Sequence, residues 1–299
     1  MITPGQQALA SDFIATSAGA GSSGKVPKLN AGGKLDNSFL PVKFGGTGAD
    51  GALATSSGTT TINLGGASAV VMNYTSISIT GTGVLAFSNP SSNGTIVILK
   101  SQGNVTITSS SNPAIDLRNM GAAGGTNGSG TLVYATTGAG SGVPGVGAHA
   151  SGNIYGKCVN LFCGAGGGGG ANPGGGAGGR GGGGIYIECG GALNITSTIN
   201  TSGSTGSNGG GNGSSWNNNW SGGGGGGSSD GSGGGNGGTS TNGAGGGGGG
   251  GGAICIVYAS LTANSGAYTN GGGSGGSGVA TGGAGGSGYS MVVANTEFN

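Results

Sequence analysis

Of the 299 residues in the chain 85 are glycine, charged residues make up 5% and aromatic residues 5%, and the net charge is +1. Globular domains use roughly 7% glycine and about 25% charged residues, so a conventional side-chain core along the whole chain is excluded. The usual charged, Pro/Glu/Lys-rich disordered chain is excluded too, as is the basic footprint that binds nucleic acid or an anionic membrane.

Residues 1–20 are polar and carry few structure signals; residues 8–14 (ALASDFI) are a short helix candidate, and the segment reads as an attachment arm. Residues 1–24 hold no Lys or Arg and no apolar run of about 7 to 15 residues, so no secretory signal is visible and assembly in a cytoplasm is expected. No stretch approaches the roughly 18 apolar residues of a membrane span. Residues 21–51 form a distinct string whose short extended pieces are broken by Pro27, Gly32, Gly33 and Pro41. Its cluster of Lys25, Lys28, Lys34 and Lys43 around Asp36 reads as a solvated segment.

Within that string Lys28, Leu29, Asn30, Gly33, Lys34, Leu35, Asp36, Ser38, Leu40 and Pro41 precede Gly45, Gly46, Thr47, Gly48 and Ala49. The arrangement resembles the connector of bacteriophage tail fibres and related virion fibre proteins, where a KLN-x-x-GK-[LV]-D-x-S-x-LP pattern precedes a GGTGA element. The resemblance implies a homotrimeric shaft, with Lys28, Leu29, Asn30, Leu35, Leu40 and Pro41 as assembly residues. Spacing alone does not show trimerisation.

Residues 52–120 read as a small β domain. Segments 61–64, 69–80, 84–88, 95–100 and 104–108 are rich in β-branched residues and separated by Gly, Asn-Pro and Asn-Gly turns. Ile77 and Ile79 alternate with Ser and Thr, as do Val105 and Ile107, which gives one wet and one buried face. A small antiparallel β-sandwich is expected in preference to a short β-solenoid, because the turns are irregularly spaced and no regular repeat appears.

Residues 121–163 read as a Gly/Ser/Thr-rich linker with short strands, and residues 164–299 as a glycine-rich domain. Its runs at 166–170, 181–184, 222–227 and 245–252 offer no side chains to bury. They are stable only where backbone groups of neighbouring extended segments bond laterally. Collagen is excluded, because Pro173 is the only proline after residue 163 and the third-position glycine phase breaks repeatedly. A bundle of polyglycine-II helices with short β-strands is expected instead. Blocks beginning at Gly181 and Gly249 each run from glycine through an apolar strand to an Ala/Ser/Thr strand, and residues 288–295 look like a truncated third copy. The strands TLVY, IYIE, ICIVY and SMVV are expected to form one apolar seam.

A slab of glycine presents no chemistry, so recognition falls to the residues that interrupt it. The most conspicuous are Trp216, Asn217, Asn218, Asn219 and Trp220, where indoles suit stacking on a sugar ring and amides suit its hydroxyls. The competing role is packing at the end of the bundle or between subunits. This half resembles the receptor-binding tip adhesins of some tailed phages, in which polyglycine-II helices form a sandwich with host-contacting loops at one end. That resemblance implies host-facing positions for Trp216 to Trp220, and secondarily for Tyr268 and Asn270.

Other chemistry is sparse. Cys158, Cys163, Cys189 and Cys255 lack metal-site spacing, and His149 has no partner pattern. Cys189 and Cys255 read as small buried hydrophobes, with a disulfide between two of the four an open alternative. One histidine and seven scattered carboxylates make no nucleophile–base pattern. No cofactor, metal or catalytic function is expected. The leading reading is a non-enzymatic virion fibre, homotrimeric or higher, joined to other virion subunits and touching a host-surface glycan, without nucleic acid or membrane insertion. The alternatives are a self-assembling extracellular filament or sheath and an ice-binding slab.

Overall fold

The computed structural model describes residues 44–125, 163–164, 166–167, 175–209, 245–278 and 281–295, and the backbone pairing of a few two-residue strands outside them. Two of those, β1 (Phe13–Ile14) and β2 (Val26–Pro27), pair in parallel. The body runs through β3 (Ala52–Thr55), β4 (Thr59–Asn63), β5 (Ala69–Tyr74), β6 (Ser76–Ile79), β7 (Val84–Ser88), β8 (Ile96–Ser101), β9 (Val105–Ile107), β10 (Ile115–Asp116), β11 (Gly184–Ile195) and β12 (Ile199–Asn200). Then come β13 (Trp220–Ser221) and β14 (Thr239–Ser240), an antiparallel pair, and β15 (Ile254–Asn264), β16 (Tyr268–Thr269) and β17 (Ser290–Ala294).

The body is a coil with three strand-lined sides. On the first side β5, β8, β11, β15 and β17 follow one another in parallel. On the second β3, β6, β9 and the later halves of β11 and β15 do the same. On the third the order is β4, β7, β10, β12, β16. The strands β11 and β15 serve two sides each. A register shift between Cys189 and Ala192 turns the corner there, where Gly190 and Gly191 sit.

Parallel register stacks like on like. Val97, Ile185 and Ile254 form one inward ladder and Leu99, Ile187 and Ile256 another, all fully buried. Ile77, Val105 and Leu193 line the second side, and Leu85, Ile115 and Ile199 the third. Each buried aliphatic side chain contributes about 1.5–3 kcal/mol relative to exposure. Along β8 burial alternates, so each strand gives one face to this core and one to the outside.

The expected fold class is overturned on two counts. The strands of residues 52–120 do not form an antiparallel sandwich: all their ladders are parallel, and the one antiparallel contact there is the isolated bridge between Asn93 and Ala122. Alternation reports one-sided burial, not strand direction, and a parallel pair needs a crossover of a dozen or more residues, which the other two sides of the coil supply. Nor is there a separate polyglycine-II helix bundle. No helix of any kind occurs among the described residues, and the glycine segments among them are extended connections between strands of the same sheets. The apolar seam reduces to β11, β15 and β17 in register; TLVY lies outside the described residues.

These connections leave the coil at one corner, between its third and first sides. There β7 reaches β8 by a short turn, whereas the later coils send out long limbs. The limb 201–209 returns as 245–253, with Thr201, Ser204 and Ser207 carbonyls accepting from Gly252, Gly249 and Gly246. The limb 270–276 returns as 282–288 through the same three-residue spacing, Gly288 to Asn270, Gly285 to Gly273 and Gly282 to Gly276. Layers bond to layers as well: Gly179 and Gly182 donate to Gly247 and Gly250, and Gly203, Gly206 and Gly209 donate to Gly271, Ser274 and Ser277. The segment 245–252 is thus surrounded by 164–167, 177–183, 201–207, 270–276 and 282–288.

Space, not backbone freedom, makes these residues glycine. Among the described residues the positive-φ glycines all fall between Gly45 and Gly94. In the limbs an ideal Cβ on Gly246, Gly249 or Gly252 would come inside 3.0 Å of the Ala177, Arg180 or Gly183 carbonyl, and one on Gly248 or Gly251 would do so at Gly273 or Asn270. Backbone packs on backbone too closely for any side chain.

Candidate functional site

The limbs share a direction. Each leaves the coil near Leu117, Thr201 or Asn270, and described segments return alongside it. The residues at the far end, Gly125, Gly167, Gly176, Ser207, Gly246, Gly276 and Gly282, are hydrogen-bonded or in close approach to one another. Nine extended residues, as in 201–209, reach at most about 30 Å. Lateral hydrogen bonds at every third residue, at Thr201, Ser204 and Ser207, keep the limb extended, so its far end projects from the coil.

Its described surface is uncharged and built from glycine with a few serine, asparagine, alanine and threonine residues. The Asn208 side chain accepts from the Ser277 amide at 2.8 Å, and Gly209 donates to the Ser277 carbonyl at 2.8 Å, tying adjacent limbs at that end. Gly209 and Gly245 both belong to this end, and the chain between them carries the tryptophan–asparagine string. Of that string, Trp220 is known by its backbone, which pairs with Ser240 in β13–β14. Trp216, Asn217, Asn218 and Asn219 lie outside the described residues, as do Lys28, Leu29, Asn30, Leu35, Leu40 and Pro41. Tyr268 and Asn270 sit at the near end of a limb, beside the coil, with the Tyr268 hydroxyl bonded to the Asn264 side chain. The structure therefore separates them from the far end.

Arg180 anchors the array to the coil. Its Nε donates to the Gly121 carbonyl at 2.9 Å, its Nη2 to the Ser91 carbonyl, and its backbone N–H to Ser204 Oγ at 2.6 Å. Burial lowers its pKa from the ordinary arginine value, and the nearby Cys163 works the other way. A shallow cleft of about 450 Å³ lies alongside, lined by Asp116, Arg118, Asn119, Gly203, Ser204 and Thr205. There Arg118 meets Asp116 in a bidentate pair, Nε to Oδ1 at 2.9 Å and Nη2 to Oδ2 at 2.6 Å, which spends both charges on each other.

The thiols are placed for packing. Cys189 and Cys255 are buried, and Cys163 donates to the Thr95 carbonyl at 3.0 Å. Burial pushes the Cys163 thiol up to about 11 and raises Cys189 as well, so neither is a thiolate nucleophile near neutral pH. Cys158 lies outside the described residues. Among the described residues no group of three or more His, Cys, Asp or Glu is arranged to hold a metal ion.

The polar residues that the sequence did not single out are Asn73, Lys100 and Glu188, brought into one column by the register of β5, β8 and β11. A signal was present: Lys100 is the only lysine between residues 44 and 156, and Glu188 the only acid between 117 and 229, each inside an apolar strand. No protein-family model matches the chain, and no curated protein or solved structure matches it.

Proposed function

We propose that the chain is a non-enzymatic structural fibre subunit of a virion, of the tail-fibre or adhesin type. In this reading a glycine-built scaffold carries host-contacting residues at its far end. The observation that supports it is the shared far end of the limbs: Gly209 and Gly245, the described residues that flank 210–244 in sequence, both lie there. The array itself is uniform backbone, suited to holding a loop at a distance rather than to chemistry. The partners in this reading are further copies of the chain, as a homotrimer or higher oligomer, other virion subunits and a host-surface glycan. Its setting is a virion or extracellular fibre assembled in the host cytoplasm.

The test is the double substitution Trp216→Ala with Trp220→Ala. Binding to host cells is expected to fall by about tenfold or more, since one stacked aromatic accounts for roughly 0.5–1.5 kcal/mol beyond its buried area. The midpoint of thermal unfolding is expected to stay within about 2 °C, as for surface changes away from the core. Unchanged binding, or a large loss of stability, returns both tryptophans to a packing role.

A second reading, a self-assembling filament or sheath subunit, is favoured by the last coil. Residues 245–295 carry no charged side chain. Leu261, which continues the buried ladder of Val105 and Leu193, is 48% exposed. An outermost layer without charges does little to discourage pairing with another copy.

A further inference from the structure

We propose that the corner of the coil formed by residues 73–75, 100–103 and 188–191 is a seat for residues 45–50. The GGTGA element would then be the joint that fixes the connector-like segment before it to the body behind it. The proposal rests on the fibre reading only in calling residues 21–43 a connector; the seat itself is argued from geometry.

Three successive coils contribute. Asn73, Lys100 and Glu188 stand in register on neighbouring strands, on the outward side of the sheet. An outward glutamate is normally solvated, yet Glu188 is only 7% exposed. Residues 45 and 46 cover this column. Glu188 Oε1 accepts the Gly45 amide at 2.5 Å while Oε2 pairs with Lys100 Nζ at 3.1 Å. A carboxylate so enclosed is tolerated because both oxygens are engaged. Further along, Asn73 Oδ1 accepts the Thr47 amide at 3.3 Å and Gln102 Nε2 reaches the Gly46 carbonyl at 3.4 Å. Asp50 then closes the contact: its amide donates to the Asn73 carbonyl at 2.8 Å, and its Oδ2 accepts the Asn73 amide at 2.6 Å.

The spacing of the glycines follows from this seat. Gly45, Gly46 and Gly48 have φ of 90°, 81° and 69°, in the left-handed region that side chains avoid. Each also faces the seat without room for a Cβ. One on Gly45 would strike the Ser101 carbonyl, one on Gly46 the Asn73 and Lys100 side chains, and one on Gly48 the Gln102 amide. Gly51 shares the left-handed φ, at 72°, but has nothing within 4 Å of its Cβ position. A free turn would need glycine only for φ. Gly45, Gly46 and Gly48 need it for close approach as well, and close approach identifies a docked element.

Hydrogen–deuterium exchange on the full-length chain tests this. In the wild type the hydrogen-bonded amides of 45–50, those of Gly45, Thr47 and Asp50, are expected to exchange well below the free-chain rate. Glu188→Ala should speed exchange at 45–50 by about tenfold to a hundredfold, the scale of one hydrogen bond to a charged group, and leave 96–101 and 254–258 protected. Gly46→Ala should do the same and also hasten tryptic cleavage after Lys43, whereas Glu188→Gln, which keeps an acceptor for the Gly45 amide, should recover part of the protection. Free exchange at 45–50 in the wild type, or no response to Glu188→Ala and Gly46→Ala, overturns the proposal. So does loss of protection throughout the coil in both variants, which would make Glu188 a residue of coil stacking. None of these readouts involves host binding, so the seat and the fibre reading fail separately.

Discussion

At the scale of single residues, glycine plays two distinct parts in this chain. At Gly45, Gly46 and Gly48 it supplies a left-handed backbone and close approach together. In the limbs it supplies room alone, and this yields a paired prediction. An alanine at Gly249 would put a methyl group inside 3.0 Å of the Arg180 carbonyl and the Gly181 amide, both backbone. Gly249→Ala should destabilise the fold by about 1–3 kcal/mol or more, as overpacking does. Gly271, in the same array, has nothing within 4 Å of its Cβ position. Gly271→Ala should lie within about 0.5 kcal/mol of wild type. Urea unfolding of the two variants decides the matter, and equal effects would mean that the limbs are not packed backbone to backbone. The close approaches were not legible beforehand, since a glycine run carries no mark of which neighbour it will meet.

At the scale of elements, the strands of the coil were largely legible and their partners were not. The stretches 84–88 and 104–108 were marked by apolar residues bounded by turn residues, with Val105 and Ile107 alternating in the second, and β7 and β9 lie within them. Direction and register are decided between strands far apart in sequence: β8 pairs with β11 across some 90 residues, Val97 beside Ile185. Stacked ladders make each rung depend on the next. Ile187 lies between Leu99 and Ile256, all fully buried. Ile187→Ala should cost about 2–5 kcal/mol, the range for deleting a buried isoleucine side chain. Val71→Ala on the same side, where Val71 is 52% exposed, should cost far less. A denaturation midpoint for Ile187→Ala as mild as that for Val71→Ala would contradict the ladder.

For the whole molecule, the consequential fact is polarity. The charged residues of the described body, Asp50, Lys100, Asp116, Arg118, Arg180 and Glu188, all precede the last two coils, which have none. The seat for residues 45–50 and the far end of the limbs are separate places on the same body. If the fibre reading holds, negative-stain microscopy of purified protein should show discrete rods of a fixed oligomer. Indefinite polymers from native protein would instead support the filament reading, and the uncharged last coil is where contacts between copies would be sought. For the candidate site, the tryptophan–asparagine string was visible from composition, and its place in the fold was not. The structure fixes only the flanking residues, Gly209 and Gly245, at the same end of the limbs, through register between distant segments.

The sequence by itself determined that the chain has little charge, no long apolar span, strands with one buried face, and glycine segments that only lateral backbone bonds can hold. Those are local properties, written in residue type and spacing. Only the tertiary structure decided that the strands run parallel in one coil, that the glycine segments extend that coil instead of forming a body of their own, and that GGTGA lies across a glutamate more than a hundred residues away. Strand direction, register and docking are set by contacts between residues remote in sequence, and the energy of those contacts has no signature in either partner alone.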